Sequence, residues 1–292
     1  MTLHPVTPAG PRPEQLAVQY DALHAARART PLVARLYAEA MGEDYPLEIN
    51  AFSSCDWPLL GLMTARLRMR PGQLLVDAGC GNGGVGLWLA RALAVRLEGF
   101  DISPVAVAQA TARRTEFVPA GHAAFRVARL EASGLRDGCA LGVVCVDALG
   151  GAADRVVALR ELGRVLAPGG RLLLTRALRP GVQPKWEEQA HAAGLILEYV
   201  DERPAEPAMW ERLYRLWIGH ADALRRELGD GPAQNMLIEA HQMLPLLSGR
   251  RAVLLTLRRA STSPGTPNSA GTMTHPSRSP DGGSVSTGRT PQ

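Results

Sequence analysis

Residues 76–84 read VDAGCGNGG, and the ligand that this glycine loop accepts decides the reading of the chain. Gly79, Gly81 and Gly84 spell GxGxxG, while Gly79, Gly81 and Gly83 spell GxGxG behind Asp77. In either parsing the glycines turn the chain sharply at a strand end and let a ligand approach the backbone. The helix that follows directs its N-terminal amides toward any anionic group that arrives.

Outward from the loop, strand and helix patterns alternate. QLLVDAG is an apolar run, GVGLWLARAL a helix, AVRLEGFD a strand, and SPVAVAQATARRTE a helix with Ser103 as N-cap. HAAFRVARLE and ALGVVCVDA read as further strands. DRVVALRELGRVL is amphipathic, with Val156, Leu159, Leu162, Val165 and Leu166 on one face, and Pro168-Gly169-Gly170 stops it. RLLLTRAL is the next strand; LILEYV and RAVLLTLRR are the sixth and seventh. Strands alternating with helices predict an α/β fold with a doubly wound, mainly parallel sheet.

The flanks have a different composition. Residues 1–70 form an N-terminal helical region, with helical spacing from Pro13 to about Gly42 divided at Pro31, and another helix over residues 58–69. The core spans residues 71–260. Within it, residues 203–249 carry two helical patterns between the last two strands, too long for an ordinary connection, and predict a cap over one sheet edge. In 261–292, 23 of 32 residues are Ser, Thr, Pro or Gly, a composition that predicts disorder because so little apolar surface is available to bury.

With 46% hydrophobic and 21% charged residues, the composition is that of a soluble globular protein. The net charge of +4 is modest, and its arginines are scattered among acids, which argues against a nucleic-acid partner. Cys55, Cys80, Cys139 and Cys145 show neither CxxC pairing nor metal spacing and read as reduced thiols; no metal is expected. The proline-rich N-terminus lacks the apolar stretch of a signal peptide, and no run reaches bilayer-spanning length. A cytoplasmic protein without membrane partners is the expectation; oligomeric state is not legible.

Asp77 distinguishes the two parsings. A carboxylate beside a pyrophosphate adds repulsion, whereas S-adenosylmethionine has no phosphate and carries a sulfonium and an ammonium. Asp101, about 20 residues past the glycines, suits both ribose hydroxyls, although NAD would use the same acid. Ile102 offers an apolar face to adenine, and Cys80 contributes small size inside the loop.

Residues from about Gln73 to Ala177 resemble the core of class I S-adenosylmethionine-dependent methyltransferases. The matching features are Asp77–Gly83, Asp101, GLRDG, VVCVDAL and RELGRVLAPGGRLLLT. The resemblance, closest to the small-molecule subgroup, implies a seven-stranded sheet ordered 3-2-1-4-5-7-6, an N-terminal helical lid, and a small organic acceptor. It also implies cofactor contacts at Asp77, Gly79, Cys80, Gly81, Asp101 and Ile102. Two departures stand out. Arg129 occupies the place of the usual adenine-binding aspartate, so either Glu131 takes the role or adenine recognition is weaker. The histidines many relatives carry after strand four are replaced by DALGGAADR.

Methyl transfer from a sulfonium is an in-line displacement that needs alignment, exclusion of water and, for a protonated hydroxyl acceptor, a general base. Asp147, at the end of strand four, is a candidate for that base or a cap for its own turn. His241 and His220 lie in the cap; His241 is the better candidate, on a partly apolar helix. Trp210, Tyr214 and Trp217 form one stripe, a packing surface or a substrate platform. Tyr20 and Trp57 are candidate lid contacts. The competing functions are an NAD(P)-dependent oxidoreductase, a nucleic-acid methyltransferase, disfavoured by Ala148 and Leu149 after Asp147, and a cofactor-binding protein without catalysis.

Overall fold

The computed structural model describes residues 13–261; the segment expected to be disordered lies, beyond Ser261, outside the described residues. Seven strands form one sheet: β1 (Leu74–Ala78), β2 (Arg96–Asp101), β3 (Ala123–Val127), β4 (Ala140–Cys145), β5 (Leu166–Leu178), β6 (Leu195–Glu202) and β7 (Arg251–Arg259). Their order is β3-β2-β1-β4-β5-β7-β6. The first five pair in parallel, and β7 runs antiparallel to both β5 and β6. This is the order implied by the resemblance.

Side chains of the central strands alternate between two cores, as a pleat with both faces covered requires. Val76, Val143, Cys145, Leu172, Leu174 and Leu255 pack with α6 (Arg155–Val165) and α7 (Trp186–Ala192). Leu75, Val144, Leu173 and Leu254 face the other way, onto α3 (Trp57–Leu67) and α4 (Gly84–Leu93). Gly86, on α4, lies where that helix crosses β1: an added Cβ would stand 2.5 Å from Asp77 Oδ2. Gly86→Ala is therefore expected to destabilise the fold by about 1–3 kcal/mol, the usual range for overpacking, and to lower the melting temperature.

Three local expectations are corrected. Val156 is 43% exposed, because α6 turns Ala158, Leu159, Leu162 and Val165 inward while its first turn remains outside. Helix α6 ends at Val165, and Pro168-Gly169-Gly170 lies inside β5. The β4–β5 register shifts between Ala140 and Gly142 beside that irregularity. The first of the two helical patterns expected in the insertion is two helices, α8 (Glu206–Gly219) and α9 (Ala221–Leu228), joined at His220.

The insertion, completed by α10 (Asp230–Met243), packs with the N-terminal helices α1 (Pro13–Ala28) and α2 (Leu32–Met41) as well as touching β7 through α8. Tyr37 of α2 is the centre of this helical layer. Its ring lies 6.3 Å from Trp210, 6.3 Å from Trp217 and 6.0 Å from Phe52. Trp210, Tyr214 and Trp217 are all buried there, so the aromatic stripe serves packing.

Candidate active site

The glycine loop lies at the carboxyl end of β1, beside the end of β2. Gly79, Gly81 and Gly83 have φ of 75°, 51° and 78°, a region that side-chain-bearing residues rarely adopt. The Gly79 and Cys80 amides donate to Phe100 O at 2.9 and 3.0 Å, which fastens the loop to β2. Crowding adds a second requirement: a Cβ on Gly79 would stand 2.3 Å from Ala148 Cβ, and one on Gly83 2.8 Å from Ala110 Cβ. Cys80 is buried, and burial pushes its thiol well up, leaving it an inert small side chain.

Asp101, at the end of β2, is half-buried. Its Oδ2 accepts from the Gly81 amide at 2.8 Å and its Oδ1 from the Ser103 amide at 2.9 Å. A carboxylate has about four acceptor positions, so capacity remains for a pair of vicinal hydroxyls. Burial raises its pKa, partly offset by these amides. Ile102 follows, half-buried beside it.

Asp77 behaves differently from its sequence reading. Its carboxylate is buried behind the loop and accepts from the Gly86 amide at 3.0 Å, in the first turn of α4. Asn82 Oδ1 accepts from the Gly84 amide at 3.2 Å. Two of the helix amides expected to meet the ligand's carboxylate are thus engaged internally. The same arrangement disfavours a dinucleotide, because Asp77 already accepts from a helix-end amide of the kind a pyrophosphate uses. Burial pushes the Asp77 pKa up to about 7, with Asp101 adding to the rise.

Asp147 adopts φ 53°, outside the usual range for a residue with a side chain. Its Oδ1 accepts from the Thr175 hydroxyl at 2.8 Å and its Oδ2 from the Ser54 amide at 2.6 Å. Arg203, at the start of the insertion, donates to Ser54 Oγ at 2.9 Å and to Ser54 O, and lies 3.7 Å from Asp56. Asp147 is therefore the centre of a clamp joining β4, β5 and the segment before α3, with one hydrogen bond accepted on each of its oxygens. Glu131 is similarly committed: Oε1 accepts from the Ala153 amide at 2.6 Å and the Asp154 amide at 3.2 Å, ahead of α6, and Oε2 lies 3.7 Å from Arg129.

The histidine expected at the acceptor is elsewhere. His241 is exposed, its Nδ1 on Leu237 O at 2.7 Å, in a groove also lined by Ile218, Ala221, Arg225 and Ile238. The inward face of α10 is Ala233, Met236, Leu237 and Ala240, so helical phase leaves His241 outside. His220 is an exposed residue between α8 and α9. Trp57 packs edge-on against Trp88 of α4 at 5.7 Å and does not join the loop.

The structure brings α1 over the loop instead. Asp21 accepts from the Ser103 hydroxyl and, at 3.2 Å, from the Val105 amide; Gln109 donates to His24 O at 3.1 Å. Thus docked along α5 (Pro104–Phe117), α1 places Tyr20 and Leu16 over Gly151, each 3.8 Å from where its Cβ would stand. One turn on, His24 Cε1 lies 3.6 Å from the corresponding position on Gly81. His24 is 8% exposed, its Nδ1 is buried without a hydrogen-bond partner, and burial together with Arg27 pushes its pKa down to about 4. Sequence reasoning placed Tyr20 near the site and missed His24; its signal was the i, i+4 spacing on a helix ahead of the core.

Among the described residues no group of three or more His, Cys, Asp or Glu side chains is arranged to hold a metal, and no helix is long and apolar enough to cross a membrane. The four cysteines are free thiols. The residues present fit a phosphate-free nucleoside: left-handed glycines for close approach, Asp101 with spare acceptor positions, and a helix end whose Gly86 amide already donates to Asp77.

Comparison with known proteins agrees with that chemistry. Residues 76–174 match the family described as the methyltransferase domain. The O-methyltransferase resE of Aspergillus sclerotiorum is 31% identical over 110 residues, 38% of this chain and 42% of its own. The 27-O-demethylrifamycin SV methyltransferase of Amycolatopsis mediterranei is 28% identical over 165 residues, 56% of this chain and 58% of its own. The chain thus spans about half the length of the curated relatives it matches. In three dimensions it is similar to the [4+2]-cyclase SpnF, with a TM-score of 0.69 at 19% identity, covering 87% of this chain and 98% of that one. Strand order, glycine loop and family match converge on one stretch: residues 76–174, at the centre of the sheet, are similar to the methyltransferase domain family.

Proposed function

We propose that the protein transfers a methyl group from S-adenosylmethionine to a small organic acceptor held between α1 and the carboxyl end of the sheet. The observation that carries this reading is the glycine loop, with Asp101 at its side and α1 as its roof. When bound, S-adenosylmethionine supplies a methyl already activated on a sulfonium. What remains for the chain is to orient the nucleophile and exclude water. Asp101 is assigned to the ribose hydroxyls, Ile102 to the adenine face, and Gly79 and Gly81 to close backbone approach. Cys80 keeps the loop narrow, Glu131 supports its adenine side through Oε2, and Tyr20 closes the mouth over Gly151. Asp147 is assigned to fixing the closed arrangement, since both its oxygens have donors.

A cyclase on a similar fold means that fold by itself does not assign methyl transfer; the family match and the loop chemistry support it. A cytoplasmic location and a small-molecule partner belong to the same proposal. The test is transfer of labelled methyl from S-adenosylmethionine to a broad panel of phenols, alcohols, amines and carbon nucleophiles. Turnover with any of them supports the enzyme; stable capture of a partner with no turnover on the whole panel would point to a binding protein.

A further inference from the structure

We propose that the lid helix selects its acceptor by charge: Arg27 and His24 of α1 together hold an acidic oxygen of the acceptor, a phenolate or enolate, as the methyl-accepting atom. The inference rests on the methyl-transfer reading and names the acceptor class for that same site.

Tyr20, His24 and Arg27 recur at i, i+4 and i+7 and share one face of α1. The first two lie over Gly151 and Gly81, and the third follows one turn beyond His24 on the same face, against the Phe52 ring. Arg27 is half-buried, and its Nε is fully buried without a partner. Among the described residues it makes no ion pair and no hydrogen bond; its guanidinium carbon stands 4.5 Å from the centroid of the Phe52 ring. The titratable groups that face it are Tyr20, Tyr37 and Glu239. Glu239 favours the Arg27 charge from a distance but makes its hydrogen bond with the Tyr214 hydroxyl, at 2.9 Å, and not with the guanidinium.

A cation withdrawn from water with its buried Nε left without an acceptor is costly, and that free donor is what an anion would take. His24 supplies the second donor. Its Nδ1 is buried and unpartnered, and its ring is neutral at physiological pH, so in the Nδ1–H tautomer it donates to the oxyanion without adding charge. An acceptor oxygen held by these two donors has given its proton to solvent before it binds. Its lone pair then forms the new O–C bond while the C–S bond breaks, and sulfur keeps the bonding pair as a neutral thioether. No further base is required, which agrees with His241 lying outside.

The test uses the full chain saturated with S-adenosylhomocysteine, with 4-nitrophenol as the probe above its own pKa and 4-nitroanisole as its neutral ether. Calorimetry gives both affinities, and absorbance reports the ionisation of the bound phenol. Wild type is expected to prefer the phenolate by about 10- to 100-fold, the range of a charge-assisted hydrogen bond. The preference should vanish in Arg27→Met and return in part in Arg27→Lys, which a merely structural role for Arg27 would not produce. Equal affinity of wild type for phenolate and ether, no binding of the phenolate, or a preference that survives in Arg27→Met would each overturn the inference. Affinity for S-adenosylhomocysteine, measured first on each variant, separates these outcomes from failure of the methyltransferase reading, which would appear as no cofactor binding by wild type.

Discussion

Asp101→Ala is expected to weaken binding of S-adenosylmethionine by at least about 100-fold, the loss of two charge-assisted hydrogen bonds at the low end of their range. Two effects act in the same direction. The carboxylate is assigned to the ribose hydroxyls, and in the protein alone it also ties the Gly81 and Ser103 amides. Removing it therefore takes away both ligand contacts and the tether that shapes the loop. Asp101→Asn retains an acceptor but loses the charge and one oxygen, and its affinity should fall between the two. Isothermal titration of the three proteins checks this; an alanine variant that binds like wild type would remove Asp101 from the site.

The second large effect concerns Asp77 and has opposite signs for stability and for binding. Its folded pKa stands near 7, above the ordinary carboxylate value of 3.8, because burial disfavours the charged form. The folded state thus keeps a proton that the unfolded chain has already released. The stability that Asp77 contributes is fully present below about pH 4, declines as pH rises toward about 7, and is flat beyond. Since a displacement of one pH unit corresponds to about 1.4 kcal/mol, the ionised carboxylate costs the ligand-free protein a few kcal/mol above neutrality. Asp77→Asn should abolish that slope and raise the melting temperature at pH 8, while an amide oxygen still accepts from Gly86. The same substitution removes the negative charge that favours a cationic ligand, so affinity for S-adenosylmethionine should fall. Thermal melts from pH 5 to 9 read the first effect; an unchanged slope in the variant would assign the titration to another group.

The architecture was legible because the central strands and helices have distinct periods and the punctuation at Gly79–Gly83 is unambiguous. The sheet order followed from the resemblance, since strand alternation alone permits β7 at more than one position. Side-chain commitments were not legible. Asp147, Glu131 and Asp77 all carry carboxylates suited to chemistry, yet each is occupied by amides or hydroxyls contributed from distant sequence: Ser54 and Thr175, Ala153 and Asp154, and Gly86. A hydrogen bond between residues 93 positions apart, as from Ser54 to Asp147, leaves no trace in local pattern. His24 was missed, and His241 chosen, for a related reason. Helical phase tells which residues share a face, but which face meets the cofactor depends on how Asp21 and Gln109 dock α1 against α5.

Calorimetric titration of the purified chain with S-adenosylmethionine and, separately, with NAD tests the central claim most directly: that the glycine loop holds a phosphate-free sulfonium nucleoside. Saturable binding of S-adenosylmethionine with no measurable affinity for NAD is the predicted result. Tighter binding of NAD, or no heat with either ligand, contradicts it.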